Sequence, residues 1–400
     1  MFRHYKDRLL HEIELHRAEF IEISQAIHAH PELGHREFFA CNLLCQCLVR
    51  YGFKIRRNLA GLPTAFAAEL TGRGPGPTIA LLAEYDALPD LGHGCGHNLI
   101  ATASVGAAAA LSKVMPELNG KLVVLGTPAE ETNGGKVTLV QAGEFASIDA
   151  ALMFHPGDSN TVEITSLAMD ALEFVYHGRA SHAAACPYEG INALDGVIHL
   201  FNGVNALRQY VREEVRIHGI ITEGGVAPNI IPERAAARFY VRAANRQYLN
   251  EVVEKMKERA QGAAIMSGTK LTCHNFELSY DNMITNQTLA QLFKQNLRAL
   301  GVKDITGPRE GKGSLDMGNV SHVVPAIHPY LSMNVPGLVP HSREFAEAAG
   351  GPPGEQVLFL AIPALAWTVL DLLMQPQIIR KAKLELERVK QEGADPGLPA

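Results

Sequence analysis

Three apolar runs, each leading into groups that can hold a cation or move a proton, constrain this chain more than any other feature. They are Thr78-Ile-Ala-Leu-Leu-Ala83 before Glu84-Tyr85-Asp86, Lys121-Leu-Val-Val-Leu-Gly126 before Glu130-Glu131, and Ala150-Ala-Leu-Met-Phe154 before His155. A stretch of small residues from Leu99 to Leu111 and a segment from Lys136 to Phe145 separate them and read as helices. This alternation implies an α/β fold with substantial parallel sheet content, covered by helices. Ligands bind beyond the carboxyl ends of such strands, so three endings of this kind on neighbouring strands converge in one crevice.

Around this centre the chain reads as mostly helical at its start. Apolar residues recur at helical spacing from Tyr5 to Ile27, His30-Pro31-Glu32-Leu33-Gly34 breaks the pattern, and a second helix follows from Glu37 to Tyr51. The middle changes character. Strands at 171–177, 216–222, 234–241 and 270–279 with helices at 191–211 and 247–267 give a β-α-β-β-α-β order, that of a ferredoxin-like α+β unit. The expected organisation is therefore a discontinuous catalytic domain, 1–169 and 282–400, interrupted by a lid domain at 170–281. Beyond it come a helix (288–300), a Gly-rich loop (311–318), a strand (326–333), a helix (355–374), a solvated charged helix (380–392) and a flexible Gly/Pro end.

With 400 residues, 47% of them hydrophobic, the chain can bury a substantial core. Its net charge is −6 and its Lys and Arg residues are scattered, which gives no footprint for nucleic acid or an anionic membrane and favours a small-molecule partner. The first residues lack the apolar core of a signal peptide, so a cytoplasmic location is expected. The apolar stretches 99–111 and 361–374 fall short of the roughly 20 residues a spanning helix needs, and Asp371 interrupts the second. Six cysteines are too few for a disulfide framework, and Cys41, Cys45 and Cys47 lie on one helix as core or surface thiols. A C-x3-C-x-C metal site is disfavoured there, because Cys47 lies well round the helix from Cys41.

Gly94-Cys95-Gly96-His97-Asn98 sits between the first strand ending and the small-residue helix. Its glycines allow a tight turn and Asn98 is a candidate N-cap. A helix N-terminus and a metal each favour the Cys95 thiolate, the form that ligates. Adjacent Glu130 and Glu131 leave the backbone in different directions, so one can bind a cation while the other serves as base. Taken singly, these groups also have ordinary readings, as a buried thiol, a solvated loop acid or a hydrogen-bonded histidine, and it is their coincidence that carries the inference. Two rival readings stay open: Cys95 as a nucleophile with His97 or His155 as its base, and an idle binding subunit that keeps the fold.

As a set, Asp86-Ala-Leu-Pro89, Gly94-Cys-Gly-His97, Glu130-Glu131, His155, Gly178-Arg-Ala-Ser-His182 and a late His341 resemble the dinuclear-metal aminoacylase and carboxypeptidase family of peptidase clan MH. The match is to its Cys-Gly-His amidohydrolase branch. Ala83-Glu-Tyr-Asp-Ala-Leu-Pro89, Ala227-Pro-Asn-Ile-Ile-Pro-Glu233 and Asp316-Met-Gly-Asn-Val-Ser-His322 look most like p-aminobenzoyl-glutamate hydrolase subunits and aminoacylase-like dipeptidases. The resemblance implies a zinc-exopeptidase-like catalytic domain, with helices on both faces of a mixed sheet, and a ferredoxin-like lid that dimerises. It implies two divalent ions, zinc or manganese with cobalt or nickel as alternatives, on Cys95, His97, Glu131, His155 and His341. It further implies Glu130 as general base, Asp86 as the group that orients a ligand, and His182 reaching a partner's site as an oxyanion donor. The activity implied is hydrolysis of the amide bond of an N-acyl or aminoacyl amino acid by a metal-activated water. One departure is Glu84, which stands where the wider family has a His; the bridging ligand, elsewhere an Asp, is here Cys95. For the substrate, Asn229, Arg238 and Arg242 are candidates for binding a carboxylate, with His328 and Ser314 as further pocket residues; His322 and His328 rival His341 as ligand.

Overall fold

The computed structural model describes residues 2–394 apart from 312. The chain divides into two compact units, one running to Thr165 and resuming at Met283, the other spanning Ser166–Asn282 with Gly313 and Ser314.

The first unit is built on a six-stranded mixed sheet. Its first five strands are β1 (Lys54–Arg57), β2 (Phe66–Thr71), β3 (Gly74–Ala83), β4 (Asn119–Gly126) and β5 (Ala150–Leu152), and Ala326–Ile327 adds the sixth. The order is β1-β2-β4-β3-β5 and then Ala326–Ile327. Strand β3 pairs in parallel with both β4 and β5, and β5 pairs in parallel with the Ala326–Ile327 strand, whereas β1 and β2 run antiparallel. The three runs read from sequence are therefore the adjacent parallel strands β4, β3 and β5, and their carboxyl ends share one edge.

Helices α3 (Phe38–Arg50) and α4 (His97–Ser112) pack onto this sheet, and α1 (Phe2–Leu15) and α2 (Arg17–Ala29) pack on α4. The single helix expected over Tyr5–Ile27 is two, because His16 leaves helical backbone (ψ 15°) where the chain changes neighbours. Both α1 and α2 pack on α4, but α1 also packs on the helix Pro352–Met374 and α2 on Arg343–Gly350. Apolar periodicity passes through the break unchanged. Helix α4 is buried from His97 to Leu111, which explains its small residues: a Cβ on Gly106 would meet Ile362 Cδ1 at 2.9 Å.

The helix expected at 355–374 starts at Pro352, with prolines in its first turn where no intrahelical N–H is lost. At 23 residues it is the one described helix long and apolar enough to cross a membrane, and it is mostly buried in this unit. Asp371 does not expose it to water: its carboxylate pairs with Lys6 at 2.8 Å and accepts from Asn296. The charged tail forms the helix Pro376–Ala394, and the Gly/Pro end lies outside the described residues. All three of Cys41, Cys45 and Cys47 are buried in the core.

The second unit has four antiparallel strands, Ala168–His177, Arg216–Glu223, Arg234–Ala243 and Lys270–Asn275, with helices Ala193–Leu207 and Arg246–Ser267 packed on them. In space the strands run fourth, first, third, second, the ferredoxin-like arrangement. Its first strand begins at Ala168 rather than Ala171, and Met169 exchanges backbone hydrogen bonds with Tyr280.

Candidate metal centre

The turn at Gly94–His97 is set by glycine. Gly96 has φ +72° and caps α4, and a Cβ there would lie 2.6 Å from Pro156 Cγ. Helix α4 accordingly starts at His97. Asn98 is not its N-cap: it lies inside the first turn, where its side chain donates to Ser24 Oγ (3.0 Å) and the Ala349 carbonyl (3.1 Å).

From this turn His97 Nδ1 donates to Asp86 Oδ1 at 3.1 Å, and Asp86 Oδ2 accepts from the Glu131 amide at 2.9 Å. One carboxylate after β3 thus orients an imidazole on α4 and the acid pair after β4. His155 Nδ1 is satisfied by the Pro156 carbonyl at 2.7 Å, which leaves its Nε2 lone pair for another partner. His341 is brought in from far along the chain: its amide donates to Gly94 O at 3.0 Å, and its Nε2 lies 3.4 Å from Glu131 Oε1.

Ligand atoms cluster in three groups, each within 4.8 Å: Cys95 with His97 and His155, Cys95 with Glu131 and His341, and His97 with Glu130 and Glu131. Cys95 belongs to the first two. His97 Nε2 and Glu131 Oε1 are buried with no hydrogen-bond partner and stand 3.9 Å apart. Two orphaned donor atoms of this kind, beside a thiol, suit a cation, because leaving buried polar atoms unpaired is costly.

The electrostatics point the same way. Burial and then Glu131 push the Cys95 thiol up, so its thiolate needs added positive charge. Burial also raises Glu130, reinforced by Glu131 and Glu84. For Glu131 burial opposes ionisation, yet the nearby imidazoles of His341 and His97 hold it down at about 2. Burial, with His328 and His97, lowers His155 to about 3 and keeps it neutral, the state in which imidazole ligates.

Sequence reasoning missed Lys136. Its side chain is fully buried, with Nζ 2.5 Å from Glu84 Oε1 and 2.7 Å from Asp316 Oδ1. Glu84 Oε2 lies 3.6 Å from His97 Nε2. Burial works against a charged Glu84, but the Lys136 ammonium holds its carboxyl at about 2. The only signal was a lysine opening an otherwise apolar helix after the acid pair. Tyr330 was missed too; it pairs in register with His155, ring centroids 4.8 Å apart.

The substrate candidates are dispersed. His328 is buried 5.5 Å from the His155 ring, in the first unit. The other four, and His182, belong to the second. There Arg238 is held by Glu173 at 2.6 Å and stacks over Phe276, and Arg242 contacts His218 at 3.2 Å. The Asn229 carbonyl accepts from Ala183, and Ser314 Oγ is buried without a partner. His182 is exposed, and its Nδ1 accepts from the amides of Ala184 and Ala185 at 3.3 and 3.1 Å.

Residues 80–362 match the sequence profile of peptidase family M20/M25/M40. The chain belongs to this family. M20 enzymes are metal-dependent, and this chain is a hydrolase of carbon–nitrogen bonds with a site chemically suited to metal. It is 38% identical to an Xaa-Arg dipeptidase of Mus musculus, covering 92% of this chain and 89% of that protein. With a p-aminobenzoyl-glutamate hydrolase subunit of Escherichia coli it shares 34% identity over 73% of this chain and 64% of the relative. Among solved structures, the Bacillus subtilis YXEP protein, described as a dinuclear metal-binding peptidase of the M20 family, superposes with a TM-score of 0.69 at 21% identity, covering 90% of this chain and 99% of that one. That likeness shows the fold.

Proposed function

We propose that this M20 hydrolase cleaves the amide bond joining an acyl or aminoacyl group to an amino acid, at two divalent ions held by Cys95, His97, Glu131, His155 and His341. The observation that carries the reading is the pair of orphaned buried atoms, His97 Nε2 and Glu131 Oε1, beside a thiol common to two ligand groups. Bound there, divalent ions supply Lewis acidity and make water a stronger acid. Zinc or manganese fits the mixed sulfur, imidazole and carboxylate set, with cobalt or nickel as alternatives.

The residues divide the work. Asp86 holds the His97 tautomer and the Glu131 peptide. Glu130, adjacent to the ligand Glu131, takes the proton from the attacking water and passes it to the leaving amine. His182 supplies a donor to the carbonyl oxygen of a partner's substrate: two amides occupy Nδ1, so the neutral ring carries its proton on Nε2. The chain acts in the cytoplasm as a homodimer joined through the second unit, on small amides rather than nucleic acid or membrane.

The names of the relatives direct the substrate choice to dipeptides ending in arginine and to p-aminobenzoyl-glutamate. The test is metal analysis, then chelation and reconstitution, assayed on dipeptides and N-acyl amino acids. Loss on chelation and recovery with metal support the reading. Activity that survives chelation, with a covalent adduct at Cys95, overturns it in favour of a thiol nucleophile. The upward push on the Cys95 thiol disfavours that alternative.

A further inference from the structure

The segment His30–Glu37, which joins α2 to α3, has no chemistry of its own, yet it braces the loops that carry the site. The Glu32 carbonyl accepts from the amide of Ala87, next to Asp86, at 2.8 Å. The Glu32 carboxylate accepts from the amides of Phe39 (2.9 Å) and Ala40 (3.0 Å), which ties the segment to the first turn of α3. Gly34 presses so closely on the acid-bearing turn that a Cβ would lie 2.9 Å from Ala129 Cβ and 2.2 Å from Thr132 Oγ1.

The decisive contact is made by Glu37. Its side chain is buried; Oε1 accepts from the Ala129 amide at 2.8 Å and Oε2 from the Thr64 hydroxyl at 2.7 Å. Ala129 immediately precedes Glu130 and has φ +62°, ψ 39°, a left-handed conformation that is strained for a residue with a Cβ. Such a conformation persists only where the surroundings over-determine it. Here the residue before Glu130 is held by Glu37 and the residue after it by Asp86.

We propose that Glu37 is a positioning residue for the hydrolysis: by holding the Ala129 amide it fixes the left-handed turn that aims Glu130 and Glu131, without itself touching substrate or metal. The proposal rests on the roles given to Glu130 and Glu131 above. Its chemical content is that an acceptor at the right distance matters and a negative charge does not.

Three variants of the full chain, each reconstituted with metal, test it by kcat, KM, bound metal and thermal midpoint. Glu37→Gln keeps an oxygen for the Ala129 amide, and the Thr64 hydroxyl can turn to accept from the new amide, so kcat stays within about threefold of wild type. Glu37→Asp keeps the charge but withdraws it by a methylene, and kcat falls about tenfold or more with KM within about threefold. Glu37→Ala behaves like Asp or worse; should it not fold, the Gln and Asp pair carries the test. Unchanged kcat in Glu37→Asp, or equal loss in Glu37→Gln and Glu37→Asp, overturns the proposal. Glu130→Gln assayed alongside separates the failures: if it stays active, the reading of the acid pair falls; if it is inactive while the Glu37 variants are normal, only the positioning role falls.

Discussion

Asp86 Oδ1 accepts the hydrogen bond from His97 Nδ1 across 3.1 Å, and this decides which nitrogen of the imidazole is left to face Cys95 and Glu131. Because the other Asp86 oxygen holds the Glu131 amide, one side chain sets the direction of two candidate ligands. Asp86→Ala is therefore expected to weaken metal binding about 10- to 100-fold, measured by competition with a chromophoric chelator. Unaltered affinity would show that the imidazole is oriented by something else.

Metal removal should also be felt in stability. Glu84, Asp86 and Asp316 are buried and Glu130 and Glu131 partly so, with a single buried ammonium, Lys136, among them. Cations that bind this set stabilise the folded chain, by roughly 2.7 kcal/mol when metal is present at 100 times its Kd. Chelation is expected to lower the thermal midpoint and reconstitution to restore it, read by calorimetry.

Lys136 makes a separate prediction. Lys136→Met leaves Glu84 and Asp316 buried without their counter-charge, an arrangement that costs roughly 3–5 kcal/mol. Urea unfolding should show a loss of that order. Changing all three residues to apolar ones of similar volume should recover much of it, because the unpaired charges go too.

How much of this was legible in the sequence depended on range. Strands β3, β4 and β5 carry candidate ligands just beyond their carboxyl ends, so a local pattern of apolar run and following residue revealed both the sheet and the cluster of ligand atoms at its edge. His341 could not be found that way: its amide reaches Gly94 across the chain, and the contact has no local signature. Asn98 looked like a helix cap because Asn caps well, whereas the left-handed Gly96 starts the helix earlier. The break at His16 left the apolar spacing intact. Lys136 was overlooked because a lysine opening a helix is normally solvated; two acids, one from the first strand ending and one 180 positions downstream, bury it. Glu37 reads as an ordinary acid at a helix start until Ala129 is placed against it.

Glu37 also gives a pH dependence with a definite sign. Burial raises its carboxyl from 4.5 to about 7. The folded chain then holds this proton over a range where the unfolded chain has lost it, so the group's contribution to stability falls as pH rises from about 4.5 to about 7. Glu37→Gln cannot titrate. The difference in unfolding free energy between it and wild type should move in favour of the variant by roughly 3 kcal/mol across that window, followed by denaturant titrations at several pH values. A difference independent of pH would contradict the burial of a titrating carboxyl.

The central claim is that Glu130 moves the proton while its neighbour Glu131 helps hold the metal. Metal content and turnover of Glu130→Gln, measured on one preparation against a dipeptide that the wild type cleaves, test it most directly. The account predicts wild-type metal content with kcat reduced at least 100-fold. Near-wild-type turnover in that variant would contradict it.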